Sequence, residues 1–482
     1  MRVSGPYQTD VPRPPARGAR LARRDEGAYR QYATEEQRRQ AGCPARPARY
    51  ICLVRPTRAI SALTVLTTTL LVLVGTAQQN NRFAVPPRHP AIEYGTRPRT
   101  DRAARLHAQL RAGEVTLAFD RERGYLRALL DALNIPIESQ TLVFSHTSLQ
   151  ADFITPETPR AIYFTDDVAV AWIPGAPAIE IAALDPRQGV MFYAVRQQVI
   201  PAPPFERPRT CVECHISDTT LGVPGLAVGS TVIDAEGVPF SAIPVDHRTA
   251  LKERWGGWYV TGDTGEGPHV GNTVATTAIN PTLEIDPANL NLPSVEDRID
   301  SARYLTPYSD AAALMVLEHQ THMTNLLTRT GWEFRVAAHE GRATGGDGAP
   351  SALDPALAKT VDALVDYMVF VDEAPLDDAV QGSAGFEAVF EKRGPFDSQG
   401  RTLRSLDLTT RLFRYPCSYM IYTAAFDALP AAAQHAVYER LWQVLSGAEP
   451  AARLLLDDRQ AIVEILRETK PGLPSYFEPP VR

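Results

Sequence analysis

Cysteine is scarce in this chain. Five of the 482 residues are Cys: Cys43, Cys52, Cys211, Cys214 and Cys417. The first two fall in a part expected to be removed or left in the cytoplasm. That leaves three, an odd number that speaks against a complete disulfide framework. No second C-x-x-C is present, and no fixed-period repeat, so solenoids and propellers are not indicated. A serine-hydrolase elbow, a P-loop, a dinucleotide fingerprint and H-E-x-x-H are all missing, which removes those chemistries from consideration. A basic body is lacking too. Residues 1–77 carry 13 Arg against 5 acidic residues, a net of +8; the whole chain is −7, so residues 78–482 carry −15. Nucleic acid, whose affinity comes from neutralised phosphates, does not suit such a body. Solubility or a basic protein partner does.

Other features are present in quantity. Hydrophobic residues make up 44 % and charged residues 22 %, enough for a real core. The length allows two or three domains. Proline is high, 40 residues, and predicts many loops because it fixes φ and donates no backbone N–H. One long apolar run exists, "AISALTVLTTTLLVLVGTA" at 59–77, preceded by Arg55 and Arg58. A basic flank, an uncharged run and a small-residue end form a secretory signal, with cleavage expected near Ala77. The run is also long enough to cross a membrane once, so a single retained anchor is the alternative. Either places the body outside the cytoplasm, in the periplasm. Residues 1–58 read as a disordered or mis-started extension: rich in Arg, Ala and Pro, without apolar periodicity, and with translation from Leu53 or Val54 as one explanation.

The sharpest chemical signal is "PRTCVECHISDTT" at 208–220. Cys211, Cys214 and His215 stand in the spacing C-x-x-C-H. Two thiols can add to the haem vinyl groups while the adjacent imidazole reaches the iron, and covalent attachment suits an exported protein. Zinc would need four ligands, and Cys417 with a distant His would have to complete the set. A redox disulfide would be expected at a helix N-terminus beside a strand, whereas both flanks here read as loop. Haem c, one per chain, is the favoured cofactor; zinc and a redox disulfide remain the alternatives.

The motif Cys211-Val212-Glu213-Cys214-His215 resembles that of c-type cytochromes. The resemblance does not extend to the small all-α class, whose Met ligand follows within a compact helical domain; after His215 the next Met is Met315. The segments "RWGGWYVTG" (254–262), "HVGN" (269–272), "LEHQTHMTNLLTR" (317–329) and "RLFRYPCSYMIY" (411–422) are similar to those of large exported bacterial monohaem proteins of undefined substrate, over most of residues 135–480. What this resemblance implies is haem binding and electron transfer with a redox partner protein.

The pattern predicts an α+β fold: a β-rich N-terminal half carrying the haem-attachment loop, then a mainly helical C-terminal half. Residues 78–100 read as a Pro/Arg linker. Residues 101–300 form the α+β region, beginning with two amphipathic helices in 101–134. Strands follow in 140–200, with turns at "TDD" and "DPRQG". Residues 270–303 look irregular. Residues 301–482 form a helical region that could pack over the haem, with helices at 307–330, 355–371, 381–393, 416–427, 430–446 and 458–469.

For the second axial position the candidates are His322 and His319, then Met323, all on one expected helix and sharing faces at i,i+3 and i,i+4. His269, in a Gly-rich loop, is a further option. Arg254 and Trp258, in "RWGGWYVTG", would supply a cation for the propionates and a flat apolar wall; Arg248 is a second cation. Each of these residues could equally be ordinary core. A closed six-coordinate site means electron transfer. An open or displaceable sixth position would instead make a haem-dependent oxidoreductase or a small-ligand sensor, with distal His and Arg as acid–base groups.

Overall fold

A computed structural model describes residues 85–233, 239–274, 286–342, 353–448 and 454–478. The expected extension at 1–58 and the apolar run at 59–77 lie outside the described residues. Among the described residues no helix is long and apolar enough to cross a membrane.

Two helices come first, α1 (Arg102–Ala112) and α2 (Leu126–Ala132). Asp101 caps α1 by accepting from the Ala104 N–H, and Gly113 ends it at φ 73°, the left-handed position that favours glycine. An antiparallel meander follows: β1 (Thr141–Val143), β2 (Arg160–Phe164), β3 (Val168–Trp172), β4 (Ala178–Asp185), β5 (Gly189–Arg196) and β6 (Phe205–Glu206). The two expected turns are turns. Asp185 closes the β4–β5 hairpin by accepting from the N–H groups of Arg187 and Gln188.

The short helix α3 (Thr210–His215) comes next, then the hairpin β7 (Val228–Ile233) and β8 (Pro239–Val245), and β9 (Trp258–Tyr259). The seven-stranded sheet has the order β6-β5-β4-β3-β2-β1-β9. β10 (Gly262–Asp263) pairs with the distant β11 (Gln381–Gly382). The helical half contains α4 (Ala311–His339), α5 (Pro355–Met368), α6 (Phe386–Glu391), α7 (Ala424–Asp427), α8 (Ala431–Ser446) and α9 (Leu456–Thr469).

The sheet is covered on both faces. Along β4 the odd residues Ile179, Ile181 and Ala183 join Leu106, Leu110, Leu126, Leu129 and Leu130 of α1 and α2 in one core. The even-numbered face turns to a second core, in which Phe164, Leu184 and Phe192 meet α4, α5, α8 and α9. This period-2 split is what a strand imposes on alternate residues. Residues on both sides of position 300 share that second core.

α4 has 29 residues, about 44 Å at 1.5 Å per residue. It runs past the expected end at 330 through Gly331. A side chain there would come 3.4 Å from Leu429 and 2.7 Å from Arg335, so the glycine serves close packing. The expected helix at 381–393 is shortened to α6, because Gln381–Gly382 is used as a strand and Gly385 adopts φ 75°. The expected helix at 416–427 is broken by Thr423, whose side chain caps α7 by accepting from the Phe426 N–H.

Candidate functional site

The C-x-x-C-H motif is not a loop. It makes up most of α3, entered by a Cys211 N–H bond to the Pro208 carbonyl and closed as Ile216 turns extended. Helical spacing puts Cys211, Cys214 and His215 at i, i+3 and i+4, on one side of a single turn. Cys211 is half-buried and Cys214 exposed, and no disulfide joins the described cysteines. Burial, with the nearby Glu180 charge adding to it, pushes the Cys211 thiol up to about 12.

The chain after α3 folds back on the histidine. The Gly225 N–H donates to the His215 carbonyl at 3.0 Å, and His215 Nδ1 lies 3.1 Å from the Gly225 carbonyl. A carbonyl only accepts, so Nδ1 carries the proton and Nε2 keeps its lone pair. Among the described residues Nε2 has no hydrogen-bond partner. Phe192 stacks on the ring at 4.4 Å. Burial lowers the His215 pKa, against the opposing pull of the Gly225 carbonyl, so the imidazole is neutral at neutral pH. That is the state and orientation a metal-ligating histidine needs. Asn325 of α4 locks the return segment: its amide donates to the Leu226 carbonyl at 2.7 Å, and its Oδ1 accepts from the Leu226 N–H at 3.1 Å. A Cβ on Gly225 would fall 2.0 Å from that oxygen, so glycine is required there.

Beneath the motif lies the even-numbered face of the sheet. Direct cross-strand pairs set Ile162 beside Ala171, Ala171 beside Glu180, Ala169 beside Ala182, and Ala182 beside Phe192. Ile162, Ala169, Ala171 and Ala182 are only half-buried, although residues on both sides of them in the strands are buried. Small side chains in adjacent strands make a flat apolar floor. Arg160 and Glu180 border it, their charged atoms 3.5 Å apart. Arg160 Nε is buried and without a partner.

The other expected site residues lie elsewhere in this core. Trp258 is buried on β9 opposite Val143, with its indole N–H donated to the Gly229 carbonyl at 2.9 Å. Arg254 is 2 % exposed and bonded to Glu318 at 3.0 Å and to the carbonyls of Thr249 and His247. Burial raises the Glu318 carboxyl to about 7, with Arg254 drawing it back. His319 is fully buried and has both ring nitrogens engaged: Nδ1 lies 2.9 Å from His247 Nδ1, and Nε2 2.7 Å from Ser418 Oγ. His322 Nε2 faces Arg248 at 3.4 Å, and Nδ1 stands 3.9 Å from Asp246. Met323 is packed in the core with no exposure. His269 Nε2 donates to the Leu290 carbonyl at 3.1 Å. Cys417 is fully buried, its thiol pushed up to about 12.

Sequence reading missed Phe192, Gly225, Arg160 and Glu180. The first two carry no motif; the last two are ordinary charged strand positions until the register places them beside the floor. Among the described residues no group of three or more His, Cys, Asp or Glu side chains is arranged to hold a metal ion, a grouping that a zinc site would need. Two thiols and an imidazole on one turn, a bare Nε2 and a floor of small apolar side chains suit a flat, covalently held macrocycle. In comparisons with known protein families, with curated proteins and with solved structures, nothing matches this chain.

Proposed function

We propose that the protein is an exported monohaem c-type cytochrome that carries electrons to or from a redox partner protein. The observation that carries this reading is the His215–Gly225 pairing, which leaves Nε2 with its lone pair on the same helical turn as two thiols. Cys211 and Cys214 would hold the porphyrin through thioethers, and His215 Nε2 would reach the iron. When bound, haem supplies one-electron exchange at iron, with a potential set by ligation, hydrogen bonding and burial. The protein's part is orientation and exclusion of water. Gly225 holds the imidazole tautomer, Phe192 fixes the ring plane, and Asn325 anchors the return loop to α4. Ile162 and the alanine floor provide an apolar wall.

A second reading is favoured by one observation. His319 has both nitrogens bonded within the protein, and Arg248 stands at His322 Nε2. An iron without a ligand from either histidine would have a displaceable sixth position, as a haem-dependent oxidoreductase or small-ligand sensor requires.

The test is a visible spectrum of the full chain expressed with a cytochrome c maturation system, oxidised and reduced, then with carbon monoxide. A sharp reduced c-type spectrum that carbon monoxide leaves unmoved supports electron transfer. A shift with carbon monoxide supports the enzyme or sensor. No visible absorption, with haem supply verified on a control cytochrome, overturns both. Export is tested by following the protein into periplasmic and membrane fractions.

A further inference from the structure

The even-numbered face of the sheet carries one carboxylate beside His215, and it is held by a network of its own. Glu180 sits directly across from Ala194 on β5, and Ala182 across from Phe192. Glu180 and Phe192 are therefore diagonal neighbours on one face, a separation of roughly 7–8 Å between backbones. Phe192 is the ring on which His215 stacks. Ser148 Oγ donates to Glu180 at 3.1 Å, the Gln150 amide donates at 3.1 Å, and Arg160 stands at 3.5 Å. Gln150 also brackets Ala178 at the start of β4, accepting from its N–H and donating to its carbonyl, both at 3.1 Å. The carboxylate is thus positioned by two neutral donors and one cation, with its side chain 30 % exposed.

We propose that Glu180 is a positioning charge that sets the redox potential of the site at His215, with Arg160 as its counterweight. The inference rests on the haem reading above. A fixed negative charge stabilises the more positive, oxidised iron and so holds the potential down; a fixed positive charge does the reverse. A unit charge within roughly 10 Å of a partly buried site changes an equilibrium by about tenfold. The same charge acts on its other neighbours, adding to the rise of the Cys211 thiol and opposing the fall of the His215 imidazole.

The experiment is a spectroelectrochemical titration of the full-length holoprotein and of E180Q, E180D and R160Q. E180Q should raise the midpoint, increasing the reduced-to-oxidised ratio at a fixed ambient potential by about tenfold. R160Q should lower it, and E180D should stay near the parent. In protein prepared without haem, Cys211 should alkylate severalfold faster in E180Q at fixed pH. An unmoved potential in E180Q, or shifts of the same sign in E180Q and R160Q, would overturn the inference while leaving the haem reading intact. A parent protein with no visible absorption would overturn the haem reading and this inference with it.

Discussion

The two faces of the seven-stranded sheet are built from the same strands and end up as opposites. On the odd face of β4, Ile179, Ile181 and Ala183 are sealed under α1 and α2, none more than 1 % exposed. On the even face, Ala182 and its neighbours Ile162, Ala169 and Ala171 stay half-buried under the turn that carries Cys211, Cys214 and His215. One side has been filled by leucine and isoleucine. The other buries Phe164, Leu184 and Phe192 in the second core but leaves a shallow patch lined by alanine. The contrast separates a closed core from a shallower apolar patch beside the motif. Two experiments can break or sharpen it, and a third tests a buried group outside it.

The largest effect should come from adding the same bulk to adjacent residues on opposite faces. Ala183→Trp forces an indole into a closed core and should prevent folding, seen as loss of soluble, cooperatively melting protein. Ala182→Trp should leave the far-ultraviolet spectrum and cooperative melting in place while, on the proposed haem reading, blocking haem attachment. Equal damage from both would erase the distinction.

Removing bulk should give the next largest difference. Ile181→Ala should cost about 2–5 kcal/mol in urea unfolding, the range for a large-to-small change in a packed core. Ile162→Ala, on the half-open face, should cost about 1 kcal/mol or less, because less apolar surface is withdrawn from water there. Comparable losses would mean that the floor is ordinary core.

The third experiment tests a buried group away from both faces. His269 is fully buried beside Trp255, and burial lowers its pKa to about 4, with the Leu290 carbonyl opposing the shift. The folded value is depressed below the unfolded value near 6.5. The stability this group contributes is therefore present above pH 6.5 and is lost as pH falls through about 4. Full loss amounts to about 3 kcal/mol at most. The His269→Leu variant should show a smaller fall in urea midpoint between pH 7 and pH 4 than the parent. An unchanged pH dependence would place the acid sensitivity elsewhere.

Much of this architecture was legible in the chain. The alternation in "AIEIAALD", with Ile179, Ile181 and Ala183 at every second position, announces a strand and its closed face. The turns at 165–167 and 185–189 are set by Asp and Gly chemistry that acts over three or four residues. The amphipathic patterns of α1, α2, α5, α8 and α9 likewise gave bounds within a few residues. The failures were places where a distant partner decided. Gln381–Gly382 became a strand because Gly262–Asp263 pairs with it. The motif itself was expected in a loop, since its proline-rich and glycine-rich flanks hid six helical residues.

The candidate site divides the same way. Cys211, Cys214 and His215 could be named from sequence because C-x-x-C-H is a fixed local spacing, and one helical turn places all three on one side. The two histidine candidates at a distance could not be told apart. His319 meets His247, 72 residues away, and Ser418, 99 residues away, so its nitrogens are claimed by contacts no local pattern encodes. Arg254 likewise finds Glu318 across 64 residues. By itself the sequence determined the alternation of strands, the C-x-x-C-H spacing and the acidic charge of the body, because each follows from neighbours along the chain. Tertiary structure alone decided which sheet face stays shallow, which nitrogen of His215 is left bare and which charges stand beside it. Those depend on strand register and on the return loop locked to α4, where residues far apart in sequence exclude or admit one another.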